Sequence, residues 1–276
     1  MKRIITVLFL IIMVVPIFAD QQAEGGGIAE SLFHHVTDST SYSPFPFVPS
    51  FLLPFGATVH LLMLFIATIV ILALFIPAFR RPHLKPKGIT LALEVVVLFV
   101  RDDIVYPVMG KKRGEKWLPF FSTLFIFILV VNYLGLIPAF KTATGNITVT
   151  TALAVMILVM MFVVGIKNLG LKKFAKNFYP EGTPKPIGLF VALLEFAGIF
   201  IRSMVLSLRL FANMFAGHLA ILSFLLIMFV LNPAFGFVSV PFAVFTFALE
   251  VLVALIQAMV FTLLSCIFIT MSSSAH

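Results

Sequence analysis

Charge is scarce in this chain. Of 276 residues, 11% are Asp, Glu, Lys or Arg, against about a quarter in an ordinary soluble domain. With 61% hydrophobic residues, that excludes a soluble fold for most of the length. Cysteine is nearly absent: the single Cys266 rules out an internal disulfide and any cysteine-cluster metal site. It reads as a small apolar side chain in the last helix. No Gly-rich phosphate loop ending in Gly-Lys-Ser/Thr occurs, so direct nucleotide binding and ATP hydrolysis by this chain are not expected. Acids are scarcer than bases, 11 against 19, for a net charge of +8. In so apolar a chain the excess does not indicate nucleic acid; basic loops set orientation in a membrane.

Long apolar runs are abundant, and the chain reads as a polytopic membrane protein in a lipid bilayer. The bases cluster. Segment 80–87 holds Arg80, Arg81, Lys85 and Lys87; segment 101–116 holds Arg101, Lys111, Lys112, Arg113 and Lys116; segment 167–185 holds Lys167, Lys172, Lys173, Lys176 and Lys185. These loops are placed in the cytoplasm. Residues 1–19 have two bases, a short apolar core and a small residue at Ala19, which resembles a secretory signal. The rival is an extra N-terminal helix, for which the core is short. Both put residue 21 onward outside. Segment 20–50 has four acids, no Lys or Arg and three successive glycines, an external segment in which His34 and His35 suggest no metal site.

The membrane domain is expected over 51–276. A first span covers about 57–79. Segment 89–107 is apolar but holds Glu94 and ends in Arg101, Asp102 and Asp103. Its flanks are both basic, so it reads as an interfacial amphipathic helix. Spans at about 118–139 and 147–166 form a hairpin around a short external loop with Lys141. Two over-long runs follow, about 187–231 and 238–271. As helices they would measure roughly 68 Å and 50 Å, against a hydrocarbon core of about 30 Å. The fold expected is all-α: about five membrane-embedded helices and one interfacial helix. The last two helices would be long and strongly tilted as an antiparallel pair, with the C-terminus in the cytoplasm.

Those two runs hold the polar residues that need explaining. The first has Glu195, Arg202, Arg209, Asn213 and His218; the second has Glu250 and Gln257. A charge at the bilayer centre costs about 2.5–3.5 kcal/mol on insertion scales, so such groups face protein or water. At about 100° per residue, Glu195, Arg202, Arg209 and Asn213 fall on one stripe about 40° wide. His218, nine residues past Arg209, points the other way. Glu250 and Gln257 are seven apart and share a face. Ala212, Ala216 and Gly217 are small enough to let a partner helix approach. Arginine stays charged at any accessible pH, whereas His and Glu can carry protons. A fixed positive charge between titratable zones looks like a separator of proton paths. Arg202 could instead snorkel or pair with Glu195. Asn132 and Glu94 read as structural, and His60 and His83 give no signal.

At these residues the sequence resembles the a-subunit family of rotary F-type ATP synthases. The carrying motif is "SLRLFANMFAGHL" (207–219), supported by "LLEFAGIFIR", "LEVLVALIQAMVFTLLS", "VNYLGLIPAF" and "NITVTTALAV", in family order over about 50–276. The resemblance implies a non-catalytic stator subunit of a bacterial inner membrane, packed against a ring of c subunits and bound to the b-subunit stalk. Arg209 would face the ring carboxylate between two aqueous half-channels. His218 and Glu250 would line the outer one, with Gln257 beside Arg209 and Asn213 and Glu195 near the route. No cofactor is implied. Some relatives have an acid where His218 stands and a His where Glu250 stands. Val205 replaces a Ser and Gly135 an acid, so neither carries an inferred role. A secondary transporter would show repeated halves, and none is visible. A passive scaffold leaves Arg209, His218 and Glu250 unexplained.

Overall fold

The computed structural model describes residues 41–42, 51–52, 59–80, 88–137, 142–171, 173–174, 185–230 and 236–273. The signal-like 1–19, most of the external segment, His83 and Lys141 lie outside the described residues. A two-residue antiparallel ladder pairs β1 (Ser41–Tyr42) with β2 (Phe51–Leu52). The rest is helical: α1 (Val59–Arg80), α2 (Ile89–Phe99), a π-helical turn (Val100–Val105), α3 (Tyr106–Met109), α4 (Lys111–Gly135), α5 (Ile147–Leu169), α6 (Lys185–Val230) and α7 (Gly236–Ser273). A single 3₁₀ turn, Ala143–Gly145, precedes α5.

Five of these helices are long and apolar enough to cross a membrane: Val59–Ala78, Lys111–Gly135, Ile147–Leu169, Pro186–Phe224 and Phe237–Ser272. Their outward residues suit lipid. Phe65, Ile69, Leu72 and Ile76 of α1 are exposed, as are Leu189, Leu193 and Met204 of α6 and Phe245 and Leu252 of α7. A water-soluble monomer does not present apolar surface on this scale. The chain is an all-α polytopic membrane protein.

Helix α4 begins at Lys111, ahead of the expected 118. The backbone hydrogen bonds of a helix run on through Lys-Lys-Arg-Gly-Glu-Lys as readily as through an apolar stretch, whereas hydropathy marks only the apolar part. The segment from Ile89 is helical past its charged end, because the wider π turn absorbs Arg101, Asp102 and Asp103. Arg101 donates two hydrogen bonds to Asp102, at 2.8 and 2.9 Å, and its guanidinium lies 5.8 Å from the Tyr106 ring centroid. The Arg101 partner holds the Asp102 carboxyl below its usual range, and Asp102 in turn raises Arg101.

The chain divides into two compact units. One comprises Met1–Ile71, Leu129–Asn146 and Ala212–Leu255; the other comprises Leu72–Ile128, Ile147–Phe211 and Ile256–His276. In the second, Phe121, Phe125, Ile157, Leu206, Leu210 and Phe261 are fully buried. Phe162 of α5 makes ring contacts with Phe174 and with Phe200 of α6. In the first, Phe224 of α6 stacks on Phe242 of α7, centroids 5.7 Å apart.

Candidate functional site

Helix α6 has a clear inside and outside. Ile199, Ser203, Leu206, Ser207, Leu210 and Met214 are buried, at spacings of three, four and one that keep them on one side. Val205, Leu208, Ala212, Asn213 and Ala216 are exposed, and Arg209, half-buried, lies among them. The buried side is pinned by hydroxyls. Ser207 donates to Thr150 Oγ1 at 3.1 Å and lies 3.1 Å from Thr151 Oγ1; Thr150 is also bonded to the Ile147 carbonyl. Such interhelical bonds contribute about 0.6 kcal/mol on average within a membrane, up to about 1.7. The result is a hydrogen-bonded seat two residues from Arg209. Among the described residues the ion pairs are Arg101–Asp102 and His218–Glu250; Arg209 belongs to neither.

The other unit holds a polar cluster. His218 Nδ1 of α6 lies 3.0 Å from Glu250 Oε1 of α7. The His218 side chain keeps 26% of its surface exposed and Glu250 only 3%, so the imidazole is the accessible end of the pair. The second carboxylate oxygen of Glu250 is buried without a partner. Gly217 makes the fit possible. A Cβ at that position would come within 2.7 Å of Glu250 Oε1 and 2.8 Å of its Cδ. Thr142 Oγ1 lies 3.0 Å from His218 Nε2 and donates to the Gly135 carbonyl at 3.2 Å. Gly135 is in turn a close-approach glycine, since a Cβ there would lie 2.8 Å from Thr142 Oγ1. The 3₁₀ turn beside Thr142 is anchored where Thr144 donates to Asn132 Oδ1 at 2.8 Å, both residues being fully buried.

Of the residues expected to act, His218 and Glu250 are brought into direct contact. Glu250 and Gln257 are both buried on α7, each 4% exposed. Arg209 and Glu195 are half-buried, and Asn213 and Arg202 exposed. The possible Glu195–Arg202 pair does not form among the described residues. Seven residues separate them by about 10.5 Å along the helix, and the Arg202 guanidinium instead folds back to within 3.9 Å of a Gly198 Cβ position. Asn132 anchors the loop, as a structural role requires. Thr142 and the hydroxyl seat of Ser207 were not singled out by spacing; Gly217 was, as a small residue for a partner helix, and the group it admits here is Glu250. Two threonines in "TATG" (142–145), within the connector between α4 and α5, were the one available signal for the first.

The geometry is therefore an imidazole–carboxylate pair in a membrane helix pair, and an arginine on an open helix face. The protein-family model for the ATP synthase A chain matches residues 61–270. The chain belongs to the ATP synthase A chain family. Its similarity to the ATP synthase subunit a of Chlorobium phaeobacteroides is 36% identity over 257 residues, 88% of this chain and 75% of that one. With subunit a 2 of Prosthecochloris aestuarii it is 36% over 272 residues, 93% and 83%. With subunit a of Myxococcus xanthus it is 44% over 181 residues, 65% of this chain and 59% of that longer protein. The family is that of a non-catalytic membrane component of the ATP synthase.

Proposed function

We propose that this chain is the proton-conducting stator subunit of a bacterial rotary ATP synthase. It offers two aqueous half-channels to a carboxylate carried by a ring of c subunits and keeps them apart with Arg209. The supporting observation is Arg209 itself. It sits on the uncovered side of a membrane-length helix, with no acid paired to it among the described residues. A lipid-facing guanidinium would cost several kcal/mol, and small neighbours Ala212 and Ala216 leave room for a packed helix. The counter-charge is then supplied by a partner, and in a rotary machine that partner moves.

In this reading His218 takes protons from the outer aqueous path and passes them through Glu250, and Gln257 lies one heptad further along α7. Asn213 and Glu195 stand on the stripe of Arg209. Because arginine does not titrate, a proton cannot pass it directly from one half-channel to the other. Each charge that crosses 100 mV yields about 2.3 kcal/mol, which a bypass would dissipate without turning the ring. The basic loops lie in the cytoplasm and the N-terminal segment outside; the b-subunit stalk holds the chain against rotation. Gentle solubilisation and purification through a C-terminal tag tests the assignment. Recovery of the c-subunit ring with this chain is expected; a purified chain associated only with lipid contradicts it.

A further inference from the structure

We propose that Lys112 and Lys116, at the basic start of α4, bind the phosphodiester headgroup of an anionic diacyl lipid whose chains lie along the same face of the helix. The site is separate from the proton path and does not depend on which leaflet it occupies. Because α4 starts at Lys111, its bases stand on helical turns and their directions follow from helical spacing. Lys112, Lys116, Pro119 and Thr123 fall within about 60° of one another at about 100° per residue, and all four are exposed. One outward face therefore passes from two lysines to an apolar stretch. Thr123 does not interrupt it, because its hydroxyl is donated to the Pro119 carbonyl at 2.8 Å. Arg113, also exposed, lies about 60° to one side of Lys116.

Trp117 marks the depth. Indole rings favour the membrane–water boundary, and this one is held against Phe120 and Phe121, with centroids 5.8 and 6.1 Å away. Lys116 lies one residue and Lys112 five residues to the watery side, about 1.5 and 7.5 Å along the axis. A bilayer of about 40–45 Å with a core of about 30 Å leaves a headgroup layer about 5–7 Å deep on each side. Both ammonium groups reach that layer. Thr123, six residues the other way and about 9 Å deeper, lies among acyl chains.

The charges there call for an anion from outside the chain. The Asp102 carboxyl is held below its usual range by its hydrogen bond with Arg101, with Lys111 adding to the effect, so those two bases are served internally. Lys112, Arg113 and Lys116 enter no ion pair among the described residues. Glu115, exposed about 60° from Lys112, pairs with none of them. Two like charges one turn apart repel, and an anion between them removes that cost. A phosphodiester brings one negative charge and two free oxygens, one for each lysine. A lipid is favoured over a soluble phosphate because the same face continues into the hydrocarbon.

Trp117 is the single tryptophan of the chain and stands beside Lys116, so its fluorescence reports on the lipid bound there. The full-length chain is reconstituted in phosphatidylcholine vesicles. Trp117 is then quenched with rising fractions of phosphatidylglycerol brominated near the top of its chains, or of phosphatidylcholine brominated alike. Anionic lipid gains about fivefold in preference for each base it meets. Wild type is expected to favour phosphatidylglycerol about five- to twentyfivefold, and Lys112→Gln with Lys116→Gln less than about twofold. If the double variant fails to insert, each single variant is read instead, with about a fivefold loss expected. Lys167→Gln with Lys173→Gln removes the same charge from other exposed positions and is expected to keep the wild-type preference. Equal losses in the two double variants overturn the site, since net charge alone would then attract the lipid. So does a wild type without preference. If glycerophosphate, the headgroup without its chains, abolishes the preference, the ligand is a soluble phosphate and the lipid is contradicted. In the whole ATP synthase, Lys112 and Lys116 are expected to resist an aqueous amine-acylating reagent in phosphatidylglycerol vesicles and to react in phosphatidylcholine alone. Protection in both means that a protein partner covers them, and contradicts the proposal.

Discussion

Two polar regions of this chain solve opposite problems. Around His218 the partners come from within the chain: a carboxylate at 3.0 Å, a hydroxyl at 3.0 Å, and glycines that open the space for both, with Glu250 Oε2 left buried without a partner. Around Arg209 the buried side of the helix is equally well seated, by Ser207, Thr150 and Thr151, yet the guanidinium is left unpaired among the described residues. In the proposed reading, His218 gains and loses a proton beside a constant partner, Glu250. Arg209, proposed to meet a moving charge, lies on a helix seated from its buried side and is unpaired among the described residues.

Removing either half of the contrast has graded consequences. The largest belongs to Arg209→Ala. If the fixed charge supplies about 2.5–3.5 kcal/mol of barrier, ATP-driven proton pumping falls on the order of a hundredfold or more, while the complex still assembles. Fluorescent measurement of vesicle acidification decides this. Next is the pair. His218→Glu or Glu250→His alone places two like groups together, and each is expected to cost about tenfold in transport. The double exchange is expected to restore most of it, the non-additivity that contacting residues show. Two additive losses would sink the idea that the groups act together.

Gly217→Ala sharpens the same region. The new Cβ meets only the flexible end of Glu250, so assembly is spared while the carboxylate is displaced, and about fivefold slower transport follows from one weakened hydrogen bond. Ser207→Ala probes the seat of Arg209. Loss of its bonds to Thr150 and Thr151 is expected to lower thermal stability by about 0.6–1.7 kcal/mol without moving the pH profile of transport. The smallest effect is at the exposed Arg101–Asp102 pair. Its carboxyl is lowered in the folded state, so its contribution is present above the unfolded value of about 3.9 and disappears as pH falls through the lower folded value. Asp102→Asn is expected to unfold at a slightly lower temperature than wild type at pH 7 and at the same temperature near pH 2, by calorimetry in detergent.

Much of this was legible in the chain itself. The five membrane-length helices followed from apolar runs interrupted by basic loops, because bilayer thickness limits what an apolar run can do. The stripe bearing Arg209 followed from helical periodicity; in the structure Arg202 and Asn213 on it are exposed, and Glu195 and Arg209 half-buried. That His218 and Glu250 touch could not be read from spacing, since they lie 32 residues apart on different helices. Thr142, 76 residues from His218, was hidden more completely, because a loop threonine has no period to betray it. Gly135, which bore no inferred role, gains one only when the distance its missing Cβ leaves is known. The start of α4 at Lys111 shows the converse limit: hydropathy locates the apolar part of a helix and is blind to the polar turns that continue it.

The central claim is that Arg209 separates two proton paths that meet only through a partner's carboxylate. Passive proton flux tests it most directly, in vesicles holding the assembled complex without nucleotide and under an imposed membrane potential. With the ring immobilised by cross-linking to this chain, wild type is expected to conduct no protons above the bare-vesicle level. Arg209→Ala is expected to leak under the same conditions, with the leak rising with potential. An Arg209→Ala complex as tight as wild type would contradict the account.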